Sequence, residues 1–391
     1  MDGNLDVEAV RRALPACASA AYMNTGTAGP LPEPAAQALR AALAAEVEHG
    51  RGAARGGPDP MAAARESVAR LLGAPADRIA LMHHTSAGLN AAALGLRFRP
   101  GDVVVTTDLE HAAIQLVVGA LRLRYGVEVR IARLGREGHR PEAALAALRS
   151  ALAPSGPVRA VFLSHVSYAT GAVLPVAEIA AAAHDAGAAV VVDGAQSVGA
   201  LSVRPADLGA DFYTVSGQKW LCGPEGTGAL WVAPGQEERL QPGAVGYMGV
   251  ARIDDAGHYL PAPGARRLEV GMVFRPALAG WVAAMGWLEG LGWEAVWGRI
   301  HALAERARTA LGAVRGVELL TPAGAGHAGL VSFRVPGISA EAAVAALRER
   351  GYLLRSIPGW EAVRVSCAFF LREAEIDGLA EAVAGIAPPG A

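Results

Sequence analysis

Lysine is all but missing from this chain of 391 residues: of its 35 lysine and arginine side chains, 34 are arginine and one, Lys219, is lysine. Surface charge is met by arginine elsewhere and does not explain the exception. A primary amine can shed its proton and form an imine with a carbonyl, whereas a guanidinium stays protonated. The lone lysine is either a remnant of an arginine-biased composition or a residue kept for its chemistry. Cysteine is also scarce. Cys17, Cys222 and Cys367 lack the paired spacing of metal or redox motifs, and an odd number suits no disulfide framework, which predicts a reducing cytoplasm. Charge of one sign is not in excess: the formal net charge is −2 and the arginines are scattered, which excludes the basic stripe of a nucleic-acid binder or a basic membrane face. The two long uncharged stretches, 79–96 and 160–177, carry His, Ser and Thr near their centres and read as buried core rather than membrane spans. The N-terminus, MDGNLDVEAVRRALP, is acidic first and lacks the order of a secretion signal.

What is present is a globular profile, with 52% hydrophobic residues punctuated by 48 glycines and 24 prolines, in a chain long enough for two or three units. No internal repeat is visible, and no low-complexity tail beyond the closing APPGA. Between about 75 and 232, short β-branched runs alternate with alanine-rich helical ones, the pattern of parallel strands joined by crossover helices. IALMHH, DVVVTT, VEVRIARL, VRAVFLSH, AAVVVDG, ADFYTVS and TGALWV read as seven strands; VAEIAAAAHDAG reads as a helix, with Pro175 ahead of it and Gly187 behind. Beyond 259 a tryptophan-rich helical region precedes a shorter α+β pattern, with strands at VELLT, GLVSFRV, YLLRS and VRVSC and helices near 339–350 and 372–385. Trp281, Met285, Leu288 and Leu291 recur at helical spacing and read as core or interface filling. The predicted organisation is a segment 1–20 packing on the small domain, a large domain 21–258 and a small C-terminal domain 259–391.

In open parallel sheets ligands lie off the carboxyl ends of the strands. Five strand ends here carry polar groups: His84-Thr85-Ser86, Asp108 to His111, His165, Asp193 with Gln196, and Ser216 to Lys219. Thr85 and Ser86 either cap a helix beginning at Ala87 or offer hydroxyls to a phosphate at its start. His111 reads alone as a satisfied interior histidine. Asp193, directly after AVVV, calls for a bound positive group if buried. An imine-forming amine, a buried carboxylate, an imidazole and a hydroxyl-rich helix start are together what pyridoxal phosphate requires.

The segments 163-LSHVSYATGAVLPVAEI, 193-DGAQSVGAL and 214-TVSGQKWLCGPEGTGALWV, in that order, resemble the class V aminotransferase family of fold-type-I pyridoxal-phosphate enzymes, which includes cysteine desulfurases, isopenicillin N epimerase-like proteins and cystine C–S lyases. The likeness runs from 22-YMNTGTAGPLP to 375-EIDGL. It implies an α/β fold with a mainly parallel seven-stranded sheet, helices on both faces and a smaller C-terminal α+β domain. It implies Lys219 as the Schiff-base lysine, Asp193 as partner of the ring nitrogen, Gln196 at the ring's phenolic oxygen and His111 stacked over the ring. Thr85, Ser86, Ser216 and Gln218 become phosphate ligands, Arg364 the clamp for a substrate carboxylate and Arg355 a second substrate contact. Asn24, Tyr168 and His84 are further pocket candidates. No metal is implied. A homodimer with its site at the subunit boundary is, and the tryptophan-rich 276–297 stretch supports it.

Three departures from the family pattern bear on function. Gln218 stands where the family commonly has histidine. Met272, in 267-RLEVGM, replaces a threonine that reaches the neighbouring subunit's phosphate. Between Arg355 and Arg364 lies only SIPGWEAV, without the nucleophilic cysteine of desulfurases, and Cys367 follows Arg364 as a small apolar filler. The expectation is a carbon–sulfur lyase acting on cystine, cysteine or an S-substituted cysteine, with an aminotransferase or an epimerase as alternatives and transfer through an enzyme persulfide disfavoured. A nucleotide-binding dehydrogenase is a poorer reading, because the only G-x-G-x-x-G, 324-GAGHAG, precedes a strand instead of opening a helix. A scaffold that has lost its chemistry fits poorly with Lys219, Asp193 and Arg364 together.

Overall fold

A computed structural model describes residues 5–53, 59–135, 140–153 and 156–387; the first four residues of the acidic-first terminus and the end of the APPGA tail lie outside them. The seven runs expected as strands form one sheet. After a short β1 (Ala21–Tyr22) they are β2 (Ile79–Met82), β3 (Val103–Thr107), β4 (Glu128–Ala132), β5 (Val158–Ser164), β6 (Ala189–Asp193), β7 (Phe212–Ser216) and β8 (Gly228–Val232), in the order β2-β8-β7-β6-β5-β3-β4. Only β8 runs against its neighbours. All but β4 are buried along their whole length or nearly so, as strands covered on both faces must be.

The covering helices are α1 (Val7–Arg12), α2 (Glu33–Ala53), α3 (Pro60–Leu72), α4 (Thr85–Gly95), α5 (Ala112–Tyr125), α6 (Pro141–Leu152), α7 (Val176–Asp185) and the single-turn α8 (Gln236–Arg239). A hairpin of β9 (Val250–Ile253) and β10 (Tyr259–Pro261) follows, then α9 (Arg275–Leu291) and α10 (Trp293–Gly312). A second sheet combines β11 (Glu318–Leu319), β12 (Leu330–Arg334), β14 (Arg355–Ile357) and β15 (Ala362–Ser366), while β13 (Tyr352–Leu353) pairs with β1. Helices α11 (Ala340–Glu349) and α12 (Glu373–Ala384) complete it.

Three details depart from the sequence expectation. The strand expected over 79–84 stops at Met82, and α4 begins at Thr85 rather than Ala87, because His84 caps it: its Nδ1 accepts the Ala87 N–H at 3.1 Å. The tryptophans of 276–297 divide between core and surface. Trp281 is fully buried within the protomer, Trp287 tilts against Phe369, and Trp293 stacks on Trp297. Helix α9 packs on α2 and α3, so this part of the tryptophan-rich stretch joins the helices flanking the large sheet. The N-terminal segment is tied to the C-terminal end of the chain. Arg11 donates to the Phe370 carbonyl and pairs with Glu375 at 3.0 Å, and Glu8 pairs with Arg372.

Candidate active site

A cavity of about 510 Å³ opens off the carboxyl ends of β2, β5, β6 and β7, and its far wall comes from β14 and β15 of the second sheet. Parallel strands end on the same edge, so the residues after each run meet there although they are far apart in sequence. His84, Thr85, Ser86, His111, Tyr168, Asp193, Gln196, Ser216, Gln218, Lys219, Arg355 and Arg364 all line it. Asn24 does not. Its Oδ1 accepts from the Thr27 hydroxyl at 2.7 Å, which places it one layer behind the wall.

Lys219 is half-buried at the cavity wall, and burial pulls its pKa down to about 8; Asp193 opposes this, while Arg364 and Arg355 add to it. Asp193 is 5% exposed at the end of β6. Burial raises its pKa, whereas Lys219, the Ala195 N–H and His111 act the other way. One carboxylate oxygen accepts from Ala195 at 2.8 Å, and no described residue bonds the other. His111 caps α5 through Nδ1, which accepts the Ala113 N–H at 3.1 Å and so leaves the ring proton on Nε2. Burial first, then Lys219, lowers its pKa and keeps it neutral. Tyr168 meets its ring edge-on at 5.0 Å. Gln196 is held from both ends: its amide nitrogen donates to the Gly26 carbonyl and its oxygen accepts from the Trp220 indole.

At the start of α4 the Thr85 hydroxyl is buried and bonds to no described residue. Such a group needs a ligand to satisfy it. Ser86 stands beside it. In the same cavity the Ser216 hydroxyl donates to Gln218 Oε1 at 2.9 Å, which commits the Ser216 proton to protein and leaves the Gln218 NH₂ available. Hydroxyls, an amide NH₂ and helix N–H groups suit a phosphate.

The opposite wall carries the arginines. Arg364 and Arg355 are directly opposed on β15 and β14, an arrangement that like charges disfavour. Both donate to the Thr27 hydroxyl, at 3.2 and 3.0 Å, and Arg364 also donates to the Tyr168 carbonyl at 3.0 Å. Arg364 is 2% exposed, its Nε bonds to no described residue, and no carboxylate among the described residues pairs with either guanidinium. Burial and then Arg355 bring the Arg364 pKa down to about 9, still charged at neutral pH. A buried fork without a counter-ion is a site for an external carboxylate.

The family model described as "Aminotransferase class-V" matches residues 41–376. The chain belongs to the class V aminotransferase family. Isopenicillin N epimerase of Streptomyces clavuligerus is 34% identical over 92% of this chain and 93% of its own. A probable cysteine desulfurase of Methanothermobacter thermautotrophicus is also 34% identical, over 65% and 63%. The cystine C–S lyase C-DES, solved with its reaction product cysteine persulfide, superposes with a TM-score of 0.89 at 30% identity, covering 96% of this chain and all of that one. This class V enzyme uses pyridoxal 5′-phosphate, and the cavity fits it: an amine, a buried carboxylate with one free oxygen, a neutral ring and an orphaned hydroxyl at a helix start surround one space.

Sequence reasoning missed Thr27, which both arginines share, and Ser164, which lines the cavity and is tied to the buried Glu110 by two hydrogen bonds. Burial pushes Glu110 up to about 7, while the donated Ser164 and Thr107 hydroxyls hold it down. Ser164 closes β5 beside His165, so the strand-end rule could have found it; Thr27 lies in a loop whose return to the site no local pattern signals.

Proposed function

We propose that this class V enzyme is a carbon–sulfur lyase that eliminates the β-sulfur of cystine, cysteine or an S-substituted cysteine, giving pyruvate, ammonia and a sulfur product. The observation that carries the reading concerns thiols. All three cysteines are buried, none lines the cavity, and burial raises the pKa of each, to about 11 for Cys17 and about 12 for Cys222. A thiol so held is a poor nucleophile, so sulfur has no acceptor on the protein and must leave with the product. Unpaired buried thiols also agree with a reducing, cytoplasmic setting.

Bound pyridoxal phosphate supplies a ring that draws electrons from the substrate Cα. The chain does the rest. Arg364 holds the substrate carboxylate in its fork, with Arg355 as the outer contact. Lys219, at a pKa near 8, takes the Cα proton as a neutral amine and then returns a proton to the departing sulfur. The Asp193 carboxylate would hold the ring N–H proton, and His111 would lie over the ring and keep water from it. Full-length similarity to an epimerase supports a second reading, in which the proton returns to Cα instead.

The test is a substrate panel with the holoenzyme. Pyruvate with sulfide or persulfide is expected from cystine or cysteine. Conversion of the cofactor to its amine form would replace this reading with transamination, and solvent deuterium at an inverted Cα would replace it with epimerisation.

The reading includes a homodimer. Large apolar side chains stand exposed along 245–274, among them Tyr247, Ile253, Leu260, Val270, Met272 and Phe274. Val270 and Gly271 share a groove of about 280 Å³ with His83, beside the cavity wall at His84. Exposed apolar surface of this kind supports a partner contact.

A further inference from the structure

The corner of the cavity at the start of α4 holds a residue whose role in cofactor binding nothing above assigns. His84 has extended backbone (φ −172°, ψ 167°) pressed against β8, where a Cβ on Gly228 would come within 3.0 Å of the His84 Cα. On its other side the ring is held by the Ala87 N–H, which donates to Nδ1. That bond fixes the tautomer: the proton sits on Nε2, and no described residue receives it. His84 therefore presents an N–H donor at the cavity wall, next to the orphaned Thr85 hydroxyl, which is 7% exposed, and Ser86. Neither arginine in the cavity lies in this corner; both stand on the β14–β15 wall. An anion there meets hydrogen-bond donors and a helix terminus.

We propose that His84 is a ligand of the cofactor phosphate, donating through Nε2–H while Nδ1 caps α4. This rests on the phosphate lying at the start of α4. One residue then joins two tasks: it orders the first turn, whose N–H groups face the anion, and it adds a donor in a direction that backbone cannot supply. Serine, threonine, asparagine and aspartate cap helices with short side chains; histidine caps with one ring nitrogen and has a second to spend on a ligand.

The experiment compares the dissociation constants of pyridoxal phosphate and pyridoxal, which lacks the phosphate, by fluorescence titration of the full chain. His84→Asn keeps a capping side chain but removes the Nε2 donor, and its thermal midpoint without cofactor is expected to match the original. The preference for the phosphorylated form is expected to shrink about ten- to a hundredfold, as for loss of a hydrogen bond to a charged group, with pyridoxal binding unchanged. Thr85→Val reports on the phosphate position independently. If Thr85→Val narrows the preference and His84→Asn leaves it intact, the proposal is overturned and the phosphate position stands. If neither variant narrows it, both are overturned.

Discussion

Lys219 combines two demands that conflict for an amine in water: it must be charged enough to fold beside Asp193 and neutral enough to attack a carbonyl. Burial resolves this by bringing its pKa to about 8. At pH 8 about half the molecules carry the free amine, against roughly one in 250 for an unperturbed lysine at about 10.4. Uptake of pyridoxal phosphate by the cofactor-free protein is therefore expected to quicken from pH 6 and level off above pH 9, as followed by the visible absorbance. A rate still climbing at pH 10 would contradict the assigned shift. Arg364 is legible from sequence as a residue type, but not its lack of a counter-ion, which is what suits it to the proposed role of clamp. Arg364→Lys keeps the charge and loses the fork, and kcat/KM is expected to fall about a hundredfold. Arg355 is exposed, so Arg355→Lys is expected to lose only about tenfold. Equal losses at the two positions would show that Arg355 shares the clamp rather than flanking it.

The strands of the large sheet were legible at the level of elements because most are short apolar runs between helical or turn-rich stretches. Their ends were less so. The expected strand over 79–84 is cut short at Met82 by a histidine cap, and histidine is outside the usual set of capping residues. Between β6 and β7 the chain leaves no room beside Gly194: a Cβ there would lie 2.3 Å from the Thr214 carbonyl oxygen and from the Tyr213 ring. Backbone cannot yield as a side-chain tip can. Gly194→Ala is expected to destabilise the fold by at least about 1–3 kcal/mol and to shift Asp193, lowering the thermal midpoint and weakening cofactor retention. An alanine variant that melts and binds normally would mean that β6 and β7 part more readily than this packing allows.

Over the whole molecule, the segment 21–29 threads between the two sheets. β1 pairs with β13, the Gly26 N–H donates to the Ser366 hydroxyl, and the Gly29 N–H donates to the Gln218 carbonyl. This passage places Thr27 against both arginines. No helix among the described residues is long and apolar enough to cross a membrane. Large apolar side chains stand exposed along 245–274, while of the tryptophans in 276–297 Trp281 is buried in the protomer's core and Trp287, Trp293 and Trp297 are half-buried. Tyr247→Asp with Phe274→Asp is expected to yield a monomer in analytical ultracentrifugation, with Tyr22 and Trp281 environments unaltered. A dimer of unchanged affinity would place the interface elsewhere.

Residue chemistry and local pattern were enough to establish the strand set, the single amine, the carboxylate after AVVV and the missing nucleophilic thiol, because each is a property of a few adjacent residues. Tertiary structure alone decided which polar groups have partners. That the Thr85 hydroxyl and the Arg364 Nε are buried without a described partner, and that Arg364 meets Thr27 and Tyr168, depends on segments far apart in the chain. Burial and hydrogen bonding are settled by where the chain returns, and no stretch of sequence read by itself contains that information.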